Sequence, residues 1–307
     1  MSTEVTSVFL RIGGELCFRF EGLPHALASR IRVHLPSFVT TDPDRSAHRR
    51  TGDEGDEPEQ EAGVLTITVG EPVPDIPGDA EPVLEQDELR IQRSGELVQF
   101  SLPGATVWCV AAHGRGGILL TDSGPEVLHA LTALVIDPLL MELALARGWL
   151  GLHAAGVAWR GRGVLLPGPD GDAKSTIFDA AAAAGLDLLS EDLVWVHPAG
   201  DELTLCAFPR AEPGESVQPP MADGVPLAGV VHPTLVRGKV SRLVPLIQME
   251  SFESLAGQDG PPSWGLAAVE RFRMLAHVAQ APAWRLELGS DRTELPQLLR
   301  AVARAGH

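Results

Sequence analysis

A chain of 307 residues is long enough for one large core or two moderate ones. Its 44% hydrophobic and 21% charged residues describe a globular protein and exclude a wholly disordered one. The formal net charge of −17 argues against nucleic acid or an anionic membrane as a general partner, so any phosphate must be held by a local, shaped site.

Cys17, Cys109 and Cys206 are far apart in sequence and form no CxxC pair. That argues against a disulfide framework or a structural zinc, and for a reducing, cytoplasmic setting. The opening segment, MSTEVTSVFL, has no basic run leading into an apolar one, so no secretory signal is expected. Lysine occurs only at 174 and 239, and tyrosine not at all. Among so many arginines, a retained lysine marks a place where a compact ammonium fits and a planar guanidinium does not.

In chain order, residues 1–40 alternate weakly and predict short strands with one short helix. Residues 41–62 have no periodic apolar positions, and Asp53 to Glu61 carries six carboxylates, which predicts a solvated, flexible acidic loop. From Val64 to Asp122 the pattern is β, with strands over 64–69, 88–92, 96–102, 106–111 and 117–121, separated by turn signals at Ser94-Gly95 and Pro103-Gly104. A helical stretch from Pro125 to Arg147 follows, expected to be interrupted near Pro138. The most apolar run, Ala130 to Leu152, contains Asp137, Pro138, Glu142 and Arg147, so it reads as a buried or amphipathic helix instead of a membrane span.

After Gly148 the rhythm becomes strand, Gly-rich loop, helix, strand. Strands are expected over 151–159 and 163–167, and a helix from Lys174 to Ala184 with Gly185 as its left-handed stop. Further strands are expected at 186–190, 193–196 and 202–208. The Pro- and Gly-rich residues 209–240 read as a long irregular segment, and a local basic cluster, Arg237, Lys239 and Arg242, runs across its end. A strand over 241–248, a helix over 265–280, a strand over 284–288 and a closing helix over 294–305 complete the chain. The closing helix places Leu295, Leu298, Leu299 and Val302 on one face. These patterns divide the chain into a mainly β region, 1–122, and an α/β domain, 123–307.

The chemistry concentrates in three segments. Gly168-Pro169-Asp170-Gly171-Asp172-Ala173-Lys174-Ser175 fits the phosphate-binding pattern G-x-x-x-x-G-K-[ST] except at Ala173, and Thr176 extends it. A strand delivers such a loop to a helix N-terminus, whose unsatisfied N–H groups and dipole favour an anion. Lysine then reaches the β- and γ-phosphates, and the serine hydroxyl binds Mg²⁺. Ala173 begins the helix, where φ need not be positive, so alanine is conformationally acceptable there. In the second segment, Glu191 and Asp192 lie between two apolar runs; at a strand end beside a phosphate loop, Mg²⁺ is their natural partner. One carboxylate would hold the metal and the other accept a hydroxyl proton. The third element is His153, on the strand before the loop hairpin.

Together, His153 with Ala154-Ala155-Gly156, the Gly168–Ser175 loop, and Leu189-Ser190-Glu191-Asp192 resemble the catalytic domain of bacterial HPr kinase/phosphorylase, over about 45 residues from His153 to Val196. The resemblance implies a P-loop kinase fold of the HPr kinase C-terminal type, with ATP and Mg²⁺ as cofactors and phosphorylation of a serine on a small partner protein. The family's loop lysine and serine fall on Lys174 and Ser175, its active-site histidine on His153, and its paired aspartates on Glu191 and Asp192. Three positions depart: Ala173 for glycine, Asp170 for serine, and Glu191 for the aspartate that the family uses as base. Asp170 and Asp172 also bring negative charge beside a polyphosphate, which calls for Mg²⁺ or an arginine. The N-terminal region differs from that of HPr kinases, which makes the chain similar to HPr-kinase-related proteins of other bacterial settings, including peptide natural-product biosynthesis.

The expected function is therefore a cytoplasmic Mg·ATP-dependent kinase acting on a hydroxyl, a serine by resemblance, of a peptide or small protein. Lys174 would stabilise the transferred phosphoryl, Ser175 and Asp192 hold Mg²⁺, Glu191 serve as base and His153 assist. A nucleotide-binding scaffold without transfer, and a small-molecule kinase, remain the alternatives. Self-association is left open.

Overall fold

In the computed structural model of the chain, the described residues are 6–12, 16–35, 39–40, 64–76, 80–86, 88–168, 172–208, 224–237, 240–257 and 268–305. The fold is mixed α/β, built on two large mixed sheets. Cα proximity divides the described residues into two units, one up to Arg147 and one from Gly148 onward. The acidic segment 41–62 lies outside the described residues.

The first unit contains β1 (Thr6–Ile12), β2 (Leu16–Leu23), α1 (His25–His34), β3 (Val39–Thr40), β4 (Val64–Val69), β5 (Glu81–Gln86), β6 (Leu89–Ser94), β7 (Leu97–Leu102), β8 (Ala105–Val110) and β9 (Arg115–Leu120). The strand order is β3-β1-β2-β4-β9-β8-β7-β6-β5. β4 runs parallel to both β2 and β9, and the other pairs are antiparallel. Alternation sets the buried face: along β2, Leu16, Phe18 and Phe20 are buried while Cys17 and Arg19 are not. β5 was not visible as a strand in the sequence. It is an edge strand with Pro82 and three acid or amide side chains, so it carries no apolar alternation.

The helical stretch after β9 does not break at Pro138. α2 (Pro125–Ala130), a π-helical segment (Leu131–Ile136) and α3 (Asp137–Leu145) run on, with Ile136 and Asp137 both in the right-handed helical region. Pro138 falls in the first turn of α3, where its missing N–H costs least, and the widened turns lie just before it. By proximity this run goes with the first unit. It is the one described helix long and apolar enough to cross a membrane, and 67% of its most apolar window is buried, as in a core helix. Its Asp137 carboxylate lies 2.9 Å from His34 Nε2.

The second unit contains β10 (Leu150–Trp159), β11 (Arg162–Pro167), α4 (Asp172–Ala183), β12 (Asp187–Ser190), β13 (Leu193–Ala199), β14 (Glu202–Ala207), β15 (Val225–Leu235), β16 (Arg242–Leu246), α5 (Gln248–Ala256), α6 (Ala268–Val278), β17 (Ala283–Leu288) and α7 (Leu295–Ala305). β10 and β11 form a hairpin turned by two left-handed residues, Arg160 (φ 53°) and Gly161 (φ 73°), the pairing that suits a two-residue loop. Gly185 (φ 70°) ends α4 as its position implied.

Residues 225–235, expected within an irregular segment, instead form the long strand β15, parallel to β11 on one side and to β17 on the other. Pro226, Gly229 and Pro233 disguise it. Gly229 is required by packing: an added Cβ would lie 2.6 Å from Trp284 Cζ3 and 2.8 Å from the Pro282 carbonyl oxygen. The pairing of β15 with both β11 and β14 closes β10, β11, β15, β14 and β13 into a ring of strands. α4 and α7 cover the core built on it, with Ile177, Ala181, Leu299 and Val302 packed among Val157, Val164, Leu166, Val231 and Leu286. Leu295 is buried in the same core and Leu298 packs against it, as the apolar face of α7 predicts.

Candidate functional site

β11, β15 and β17 are parallel, so their carboxyl ends share one edge of the sheet, where open α/β sheets bind ligands. Gly168 follows β11 at that edge, and α4 begins at Asp172. Asp170, Gly171 and the Asp172 side chain lie outside the described residues. Lys174 is 5% exposed, and its stem folds back beside the first glycine of the loop: a Cβ placed on Gly168 would lie 3.9 Å from Lys174 Cγ and Cδ. Ser175 is exposed on the first turn of α4, and Thr176 is half-buried. Ala173 is helical and packs against the apolar core of the unit, which explains how alanine stands where the loop pattern has glycine.

Glu191 and Asp192 form the short link between β12 and β13. The Asp192 main-chain oxygen accepts the Ala154 N–H at 2.9 Å, which ties this link to β10. His153 on β10 is opposite Leu193 in register, and its Nε2 lies 2.7 Å from Asp192 Oδ1. The structure therefore brings His153 and Asp192 into contact. Glu191 is exposed beside them. The Ser175 hydroxyl and the Asp192 carboxylate are hard oxygen donors, the ligand type that Mg²⁺ prefers. Among the described residues no group of three or more His, Cys, Asp and Glu side chains is placed to hold a metal alone.

A residue missed in the sequence joins the loop. Arg292 Nη1 donates to Thr176 Oγ1, one residue past the first turn of α4, at 3.1 Å. Its own loop is braced: Ser241, 3% exposed, donates to the Asp291 main-chain oxygen at 2.8 Å and accepts the Gly289 N–H at 3.2 Å. The Asp291 carboxylate accepts the Thr293 N–H at 3.0 Å and the Thr293 hydroxyl at 2.8 Å; these bonds, backbone first, hold its pKa below the usual value. Lys239, from the basic cluster, lies outside the described residues.

A second missed feature is a pocket of about 400 Å³ that begins at Pro167 and Gly168 and extends along the end of β15 to α5. His232 on β15 is opposite Arg285 on β17 in register, so the two side chains share a face. His232 Nε2 lies 3.1 Å from Ser251 Oγ, and its Nδ1 2.7 Å from Ser254 Oγ. Burial, reinforced by the Arg285 charge, lowers the His232 pKa to about 4, so the ring is neutral at neutral pH. Arg285 Nη2 is 3.8 Å from Glu250 Oε1, and the other Glu250 oxygen accepts the Ile247 N–H at 3.0 Å.

Compared with known proteins, the chain matches no family model and no curated protein.

Proposed function

We propose that the second unit is a P-loop kinase domain of the HPr kinase type, and that the protein is a Mg·ATP-dependent kinase acting on a serine-type hydroxyl of a peptide or small protein. One observation carries this reading: a strand, a glycine and a helix in order, with the buried Lys174 stem laid beside Gly168, at the carboxyl edge of the parallel strands. The His153–Asp192 contact supports it by placing a carboxylate and an imidazole together, one strand away in the sheet.

Lys174 and the N–H groups at the start of α4 bind the polyphosphate and stabilise charge on the transferred phosphoryl. Ser175 and Asp192 would hold Mg²⁺, which neutralises phosphate charge and orients it. His153 positions the Asp192 carboxylate by contact. Glu191, exposed beside them, is free to meet an incoming acceptor and takes its hydroxyl proton. Arg292 supplies the cation that a loop carrying Asp170 and Asp172 requires.

Calorimetric titration of Mg·ATP into wild type and Lys174→Ala tests the reading. The expected result is binding to wild type that weakens about 100-fold in the variant, near 3 kcal/mol. Absence of binding to wild type would overturn it. Binding with no transfer to any seryl peptide would favour the scaffold, and transfer to metabolites alone the small-molecule kinase.

A further inference from the structure

The pocket that begins at Gly168 is lined by a serine hydroxyl in contact with a histidine ring. Ser254, in the last turns of α5, is exposed and lines this pocket together with His232 and Arg285. In the tautomer protonated at Nε2, His232 donates to Ser251 Oγ and accepts the Ser254 proton at Nδ1, over 3.1 Å and 2.7 Å. Ser251 is fully buried, so the ring is anchored from within the core while its other nitrogen faces the pocket serine.

We propose that Ser254 is an internal phosphoryl acceptor, modified by ATP bound at the Gly168–Ser175 loop of the same chain or of a second copy. The proposal rests on the nucleotide reading above and adds a modification site to it. In the step, a bond forms between Ser254 Oγ and the γ-phosphorus of ATP, and the bond from that phosphorus to the β,γ-bridging oxygen breaks. The Ser254 proton passes to His232 Nδ1 and then to solvent, and ADP leaves. Because burial and the Arg285 charge keep His232 neutral at pH 7, its Nδ1 lone pair is available. The phosphoester formed faces the Arg285 guanidinium across the pocket, an attractive pairing that competes with Glu250. Once formed it fills the space next to Gly168, so modification restricts access to the loop.

The experiment incubates the full chain with Mg·ATP and follows intact mass and peptide mapping, with calorimetric Mg·ATP binding measured in parallel. The expected result is a gain of one phosphate at Ser254 in wild type. Ser254→Ala and Lys174→Ala do not gain it, and Ser254→Thr still does. His232→Gln is expected to slow the gain about 100-fold. If wild type binds Mg·ATP yet gains no phosphate at Ser254, or if Lys174→Ala gains it at the same rate, the proposal is overturned and the nucleotide reading stands apart from it. If wild type does not bind Mg·ATP, both fall together.

Discussion

Arg292 shows how much one side chain contributes when its loop is braced. The guanidinium meets Thr176 beside the turn where phosphate is expected, and the Ser241 and Asp291–Thr293 bonds hold its loop in place. Arg292→Ala should therefore weaken Mg·ATP roughly tenfold by calorimetry, the loss of one charge-assisted contact. Glu191→Gln should leave ATP binding unchanged and abolish transfer to an added peptide, measured with labelled ATP; unchanged transfer would place the base elsewhere. His232 makes a prediction about acid. The unfolded chain takes up a proton at this residue as pH falls through about 6.5, whereas the folded ring does so only near 4. Stability is thus full above pH 6.5 and falls by roughly 3 kcal/mol as pH drops to about 4. Urea unfolding at pH 7 and 4.5 should show that loss in wild type and a smaller one in His232→Gln.

At the scale of elements, α4 and β15 make opposite demands on small residues. Ala173 packs its methyl on the core, so Ala173→Gly should cost about 1 kcal/mol of stability without improving ATP binding. Gly229→Ala should cost about 2 kcal/mol by urea unfolding, because the new methyl meets the Trp284 ring and the Pro282 carbonyl, neither of which yields cheaply. The same contrast governs what could be read from the sequence. β10, β11 and α4 announce themselves through apolar runs, a glycine turn and a glycine stop, all local signals. β15 does not, because Pro226, Gly229 and Pro233 carry the signature of a loop while tertiary packing keeps them in a strand. The candidate site divides likewise. Gly168 to Thr176 and Glu191-Asp192 are contiguous and legible. His232, Ser254, Arg285 and Arg292 come from separate elements, and only parallel pairing brings their strands and loops to one edge.

At the scale of the molecule, every residue of the candidate site belongs to the second unit, which has its own sheet and its own apolar core. A chain of residues 148–307 should therefore bind Mg·ATP within about tenfold of the full chain in the same calorimetric titration. Loss of binding in a folded fragment would assign the first unit a part in the nucleotide site.

The ring of strands has a consequence in time. The strand that carries the loop, β11, is sealed on one side by β15, with Leu165 opposite Val230, and β15 is in turn sealed by β17, with Val230 opposite Ala283. These partners are far apart in the order of synthesis, and non-local parallel pairing forms late because the intervening chain must first be closed into a loop. At a synthesis rate of about 5–20 residues per second, a ribosome finishes the glycine loop several seconds before it supplies the strands that frame it. A nascent chain consequently lacks the frame around its glycine loop until nearly its whole length has emerged, and an interrupted one leaves β11 with an unpaired apolar edge.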